Sequence, residues 1–245
     1  VNSMDYESDE SEAVVVKLDK TTPTFTLSQS LTDVTNEDYT VNIENLVYSV
    51  SGLKTVEVNG VDFGSDALSF IVQRNGEYVV KITANNGLYS EQTIEINNID
   101  KEVPGITDIV LTQEPTESPE RHLDGEFGHY YSADLVANAT AEDSGVAGID
   151  YIKYRLVGAD YTPVSDWTTI TDDVRAICDR NFKGYFEFVA VDKAGNESSS
   201  YYSDGFVRDN AKPVITTLNA ICGEDGDEYI AGNWADDIVY FTPEA

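Results

Sequence analysis

The sequence predicts an all-β protein built from tandem two-sheet sandwich repeats, and three observations carry that reading. Short segments alternate apolar with polar residues, as at Val41 and Ile43 in TVNIE and at Tyr78, Val80 and Ile82 in YVVKIT. This period of two marks strands with one buried face. No stretch of about twelve residues carries a helical stripe. Finally, Gly76–Pro104 and Gly184–Pro213 share one plan. Gly76, Tyr78, Gly87 and Ser90 fall on Gly184, Phe186, Gly195 and Ser198 without a gap, and one added residue brings Asp100 and Pro104 onto Asp209 and Pro213.

A further copy of the linker begins at Asp19, so Asp-x-x-x-Pro segments start at positions 19, 100 and 209. They divide the chain into the end of a preceding repeat (1–18), a complete repeat (19–99), a second repeat with enlarged loops (100–208) and the start of another (209–245). Proline stiffens each entry, and the Asp can accept hydrogen bonds or bind a cation.

Glu12–Leu18 is a β-branched run that fits a closing strand. The first complete repeat predicts strands at Thr24–Ser28, Tyr39–Glu44, Leu53–Val58, Leu68–Gln73, Glu77–Ala84 and Gln92–Asn97. Asn59-Gly60 and Asn75-Gly76 read as hairpin turns, since both residue types tolerate positive φ. The second predicts strands at Ile106–Gln113, Ala133–Ala141, Asp150–Leu156, Trp167–Ile170, Val174–Cys178, Tyr185–Val191 and Tyr202–Arg208. About seven short, evenly spaced strands suggest a sandwich. The extra length sits in loops at Glu114–Tyr130 and Gly158–Asp166. Pro213–Thr217 and Asp237–Thr242 predict two opening strands of the last unit. A closing strand at one end and opening strands at the other would allow strand exchange between copies, although a piece of a longer chain is the simpler account.

The 245 residues carry 45 acidic against 15 basic side chains, a formal charge of −30. That field repels nucleic acid and anionic membranes and favours cations. A hydrophobic content of 41% with 11% aromatic residues supplies cores and argues against a disordered acidic tail. No apolar run is long enough to cross a membrane, and direct membrane insertion is not expected. Cys178 and Cys222 fall in different repeats and read as small, partly buried thiols, with a bridge across the linker as the alternative.

Ala141-Glu-Asp-Ser-Gly-Val146 followed by Ile152-Lys-Tyr-Arg155, Ala190-Val-Asp-Lys-Ala-Gly-Asn196, Asn233-Trp-Ala-Asp-Asp-Ile-Val239 and the Asp-x-x-x-Pro linkers resemble bacterial immunoglobulin-like repeats. Such repeats form arrays in large surface proteins and adhesins, and serve as accessory modules of secreted glycosidases. The likeness spans nearly the whole chain and is strongest over 130–213. In the first complete repeat, Asn85-Asn-Gly87 replaces the Asp-Lys-Ala-Gly turn and no Asp-Ser-Gly loop is present. The resemblance implies immunoglobulin-like sandwiches used as spacers or binding modules in an extracellular or cell-surface protein. Some repeats of the family are stiffened by calcium at domain junctions, which makes Ca²⁺ the cofactor to expect.

Asp192-Lys-Ala-Gly-Asn196 reads first as a turn, with Gly195 in the left-handed region and Asp192 and Asn196 bonding its backbone. Asp192 would also bring a carboxylate to Ca²⁺ together with a linker Asp and the Asp143 loop, since Ca²⁺ takes six to eight hard oxygens. The candidate ligands are Asp19, Asp100, Asp143, Asp192 and Asp209. His122-Leu-Asp-Gly-Glu-Phe-Gly-His129 holds transition-metal ligand types, but it lies in a Pro- and Gly-bearing region and reads as a solvated loop. Catalysis is not expected. The two histidines have no Gly-x-Ser-x-Gly elbow to pair with, and acid pairs such as Asp172-Asp173, Glu224-Asp225 and Asp236-Asp237 read as solvated surface. Tyr130-Tyr131 and Tyr201-Tyr202 should each place one ring inside and one outside, and Trp167 and Trp234 should fill the core.

The function expected is a non-enzymatic, Ca²⁺-stiffened spacer or stalk segment of an adhesin-like protein, its partners being neighbouring repeats of the same chain. Strands of about eight residues make each unit roughly 30–40 Å long. The alternative is an accessory module whose enlarged loops bind a glycan or a host or surface protein.

Overall fold

A computed structural model of the chain describes residues 3–6, 9–10, 12–172, 175–223, 228 and 238–244. The described residues are all-β and include no helix; none, therefore, is long and apolar enough to cross a membrane. The chain forms two compact units. The first is Val1–Thr107 with Ala141–Tyr151 and Val189–Ser199, and the second is Asp108–Thr140, Ile152–Phe188 and Ser200–Ala245.

The first unit opens with β1 (Thr24–Gln29), β2 (Tyr39–Val47), β3 (Leu53–Val58), β4 (Val61–Asp62), β5 (Ser69–Val72), β6 (Gly76–Ala84) and β7 (Tyr89–Ile96). They make a three-stranded sheet, β1-β2-β5, and a four-stranded sheet, β4-β3-β6-β7. Every pairing is antiparallel. The chain crosses between sheets after β2, β4 and β5, which is a seven-strand immunoglobulin-like sandwich. Alternation puts Tyr39, Val41 and Ile43 of β2 in one core with Val80 and Ile82 of β6. Burying each such side chain contributes about 1.5–3 kcal/mol, so the period-two segments are the ones that hold the sheets together.

Asn59-Gly60 makes the expected tight turn, both residues at positive φ, and joins β3 to β4. Asn75-Gly76 makes no hairpin, because β5 pairs with β2 while β6 pairs with β3 and β7. Here the Asn75 side chain donates to the Ile99 carbonyl at 2.8 Å and accepts from the Ile99 N–H at 2.9 Å. The turn signal is used to cross sheets and to hold the segment after β7. Residues 12–18 form no strand, and Val14, Val15, Val16 and Leu18 are exposed. β-branched composition without a paired neighbour does not make a strand.

The strands that follow, most of whose residues lie in the second unit, are β8 (Gly105–Glu114), β9 (Glu120–His122), β10 (His129–Tyr131), β11 (Asp134–Glu142), β12 (Ile149–Gly158), β13 (Thr168–Thr169), β14 (Ala176–Cys178), β15 (Phe182–Asp192), β16 (Tyr201–Tyr202) and β17 (Phe206–Arg208). One sheet runs β14-β11-β8. The other runs β13-β12-β15-β17-β10-β9, with β16 also on β15. β18 (Thr217–Cys222) and β19 (Val239–Glu244) pair antiparallel as a further two-stranded sheet. The first of these starts four residues later than Pro213. Trp234, Asp173, Glu224, Asp225, Asp236 and Asp237 lie outside the described residues. No disulfide joins Cys178 to Cys222, and burial pushes the Cys178 thiol up.

β15 is the central strand of the second unit. Phe186 and Phe188 project to one side, where Tyr154 and Phe206 meet them. Tyr185 and Glu187 project to the other. Strands of this kind usually wet one face, but here the enlarged loops cover it: Phe127 and Tyr161 pack on Tyr185, with ring centroids 5.2 and 4.7 Å away. Gly205 allows the cover to close, because a Cβ there would sit 2.6 Å from the Glu126 carbonyl.

Glu187 is only 2% exposed. Its carboxylate takes Arg155 Nε at 2.5 Å, the Ser200 hydroxyl at 2.6 Å and the Tyr202 hydroxyl at 3.2 Å. Trp167, expected in the core, is instead 36% exposed and lies against the Arg155 guanidinium, 4.4 Å from its ring centroid. Tyr130 is exposed and Tyr131 buried, as the strand alternation requires, whereas Tyr201 and Tyr202 are both exposed.

Burial pushes the Glu187 carboxyl up, but the Arg155 and hydroxyl contacts outweigh it and hold the group below its ordinary 4.5. A carboxylate depressed in the folded state adds stability that is whole above the unfolded value and is lost as pH falls through the folded one. Glu187→Gln should therefore be less stable than the parent near neutrality. The gap in urea unfolding free energy should narrow as pH falls below 4.5; a gap that is constant with pH would count against the paired, ionised Glu187.

Candidate metal centre

Three of the five expected aspartates come together. One carboxylate oxygen from each of Asp100, Asp143 and Asp192 lies within 4.8 Å of the others. All three belong to the first unit. Asp100 and Asp192 are 3% and 1% exposed, and Asp143 is half-buried.

Each carboxylate is held by its own local geometry. Asp100 follows β7 in a segment fastened by reciprocal backbone bonds, Thr35 N–H to the Asn98 carbonyl and Asp100 N–H to the Thr35 carbonyl. Its carboxylate accepts from Glu102 N at 3.0 Å and from Ala147 N at 2.6 Å. Asp143 accepts from Gly145 N at 3.0 Å and Gly148 N at 2.8 Å, which curls the 143–148 loop around it. Asp192 accepts from Asn196 N and from Asn196 Nδ2, each at 2.8 Å. Gly195 stands at φ 90°, so the turn needs a residue free to enter the left-handed region.

Asn196 also donates from Nδ2 to the Asp100 carbonyl at 3.0 Å, linking the turn to the segment after β7. Lys193 N–H donates to the Gly148 carbonyl at 3.1 Å, linking the turn to the loop. The three pieces are thus mutually bonded as well as sharing a carboxylate cluster. Gly145 sets how closely they approach: a Cβ there would lie 2.2 Å from both Asp100 carboxylate oxygens. Neither Gly145 nor the second role of Asn196 is visible in the spacing of the sequence, since both depend on contacts across more than forty residues.

Asp19 and Asp209 lie outside this cluster. Asp19 accepts from Thr21 N at 3.0 Å and from the Ser49 hydroxyl, and its carbonyl accepts from Asn86 Nδ2 at 3.3 Å. The Ser49 hydroxyl above all, with Ser51 and the Thr21 N–H, holds the Asp19 carboxyl well below the usual carboxylate range. Asp209 accepts from Ala211 N at 2.8 Å and Asn181 Nδ2 at 3.1 Å. All three linker aspartates therefore make the same bond to the N–H two residues on, an Asx turn. Only Asp100 meets two further carboxylates.

No family model matches the chain, and no curated protein matches it. Among solved structures, the fibronectin(III)-like modules of Clostridium thermocellum CbhA match over 76% of this chain and 93% of that chain, at 14% identity and a TM-score of 0.30.

Gly145→Ala should displace either the loop or the Asp100 carboxylate. We expect a loss of about 1–3 kcal/mol in urea unfolding, the usual cost of overpacking. Hydrogen exchange at the Ala147 amide should speed up with it. An unperturbed Ala147 amide in the folded variant would contradict the close approach.

Proposed function

We propose that the chain is a non-enzymatic spacer segment of an extracellular or cell-surface, adhesin-like repeat protein, and that Ca²⁺ braces its linker at Asp100. The carboxylate cluster of Asp100, Asp143 and Asp192 is the observation that supports this most. At 4.8 Å and an effective dielectric near 20, each pair of like charges costs on the order of 3 kcal/mol. A divalent cation removes that cost, and the donors on offer, carboxylates with neighbouring backbone carbonyls, are the hard oxygens that Ca²⁺ takes. Imidazole and thiol groups are not among the three clustered ligands, which disfavours softer ions there. Extracellular modules bind Ca²⁺ at about 10⁻⁴–10⁻³ M, a range matched to a calcium-rich exterior. The surplus of acidic residues gives solubility and draws cations to the surface.

The chemistry assigns each residue a part. Asp100 is the anchor, because it belongs to the linker. Asp143 and Asp192 close on it from the loop and the turn. With the ion bound, the linker, the 143–148 loop and the 192–196 turn lose their freedom to separate.

Calcium binding to the folded state alone should add about 1.4 kcal/mol at ten times Kd and about 2.7 kcal/mol at a hundred times. Thermal unfolding of the full chain should thus move upward in millimolar Ca²⁺ relative to chelator. Asp143→Asn should keep the fold and lose most of the shift. An identical melt with and without Ca²⁺ would remove the ion from the reading and leave a linker held by hydrogen bonds.

One patch favours a second reading, an accessory module that binds glycan or a surface protein. Tyr161, Trp167 and Tyr202 are exposed in the second unit, Tyr161 and Tyr202 edge to face at 5.0 Å. Aromatic faces beside a charged side chain such as Arg155 suit sugar rings and protein anchors. On a glycan array, saturable binding abolished by Trp167→Ala would support the module, and no binding by the parent would favour the spacer.

A further inference from the structure

We infer that β9 and β10 carry a site for a divalent transition-metal ion of the zinc class, ligated by His122 and His129 with Glu120 as the third ligand. The region expected to be a solvated loop is an antiparallel pair in which His129 stands directly opposite His122 and Tyr131 opposite Glu120. Side chains alternate along a strand and directly opposed residues share a face. Glu120, His122, His129 and Tyr131 therefore lie on one face of the pair. The two imidazole centroids are 4.4 Å apart, and Glu120 Oε1 is 3.6 Å from His122 Nε2.

The backbone fixes this arrangement from both ends. Beyond the histidines, Leu123 N–H donates to the Gly128 carbonyl at 2.7 Å. The chain is pinched there so tightly that a Cβ on Gly128 would lie 1.8 Å from the Leu123 carbonyl. On the far edge, β10 pairs with β17, His129 opposite Phe206. The Tyr131 ring, buried and 6.2 Å from the His122 ring, closes the inner side. His122 and Glu120 remain half-exposed, which leaves the outer side open to an entering ion and its waters.

Imidazole nitrogens with one carboxylate suit zinc, copper or nickel rather than calcium. Zinc–nitrogen bonds of about 2.0–2.1 Å require the two ligand nitrogens to come within roughly 3.5 Å. As they stand, Glu120, His122 and His129 are not all gathered at ligating distance, the three aspartates being the one such group among the described residues, so an entering ion would have to draw the side chains in by rotation about their own bonds. The site differs in donor chemistry from the oxygen cluster at Asp100. Its effect would be to fasten β9, a three-residue strand at the end of the sheet, to its one strand partner β10.

These are the only two histidines of the chain, so imidazole NMR signals report the site without overlap. We would titrate the full chain, carrying Cys222→Ser and saturated with Ca²⁺, with Zn²⁺. Both imidazoles should shift together and saturate at one ion per chain. His129→Gln should weaken binding by at least tenfold, the least that losing even an outer-shell partner usually costs. Glu120→Gln should weaken it by less. Its melting without metal should match the parent, so that lost binding is not lost fold. A response from one ring alone, a shift that fails to saturate below millimolar zinc, or unchanged affinity in His129→Gln would overturn the inference.

Discussion

A carboxylate excluded from water must find hydrogen-bond donors or an opposite charge, and the first unit is arranged around that requirement at Asp100. Its side chain is 3% exposed and receives N–H groups from Glu102 beside it and from Ala147, forty-seven residues away. The second bond brings the 143–148 loop against the carboxylate so closely that a Cβ at position 145 would lie 2.2 Å from its oxygens. Reorganising any one of these groups leaves a buried acceptor unpaired, at a cost of about 1–3 kcal/mol or more for a charge. The linker is therefore specified by polar contacts, unlike the strands, which are specified by apolar area.

The second unit faces a related problem at Glu187 and solves it with a cation. Removing a carboxylate from water is costly unless its partner sits in good geometry. Arg155 supplies that partner, with the Ser200 and Tyr202 hydroxyls on the other oxygen. Trp167 then covers the guanidinium. An aromatic that composition places in a core thus serves as a lid over an ion pair on the outer face. The same face carries the Tyr161–Tyr185 stack, so the enlarged loops are part of the packing and the sheet has little bare surface at its centre.

Those differences mark what a single sequence can and cannot reveal. Leu53–Val58 was legible residue for residue, because a run with β-branched Thr55, Val56 and Val58 bounded by Gly52 and by Asn59-Gly60 is a strong local signal. Asn75-Gly76 was legible as a turn but not as a crossing between sheets, since turn chemistry fixes φ and says nothing of where the next strand pairs. Glu120–His122 and His129–Tyr131 are too short for any period to show. The grouping of Asp100, Asp143 and Asp192 was readable from turn and linker motifs, but the separation of Asp19 and Asp209 from it was not. All three linkers look alike in sequence, and what distinguishes them lies on loops distant along the chain.

The contrast between Asp19 and Asp100 suggests what the linker motif is for. Both carboxylates accept the N–H two residues on, so the aspartate first serves to turn the chain ahead of the proline. The groups that then surround it decide its chemistry. At Asp19 they are donors, the Ser49 hydroxyl foremost. At Asp100 they include Asp143 and Asp192, and donors from the backbone are shared among three charges. Hydrogen bonds satisfy lone pairs but leave the summed charge in place, and that charge is what the proposed Ca²⁺ would offset. The Asp-x-x-x-Pro segment thus makes the same turn in both places, and residues far from it in sequence set what surrounds its carboxylate.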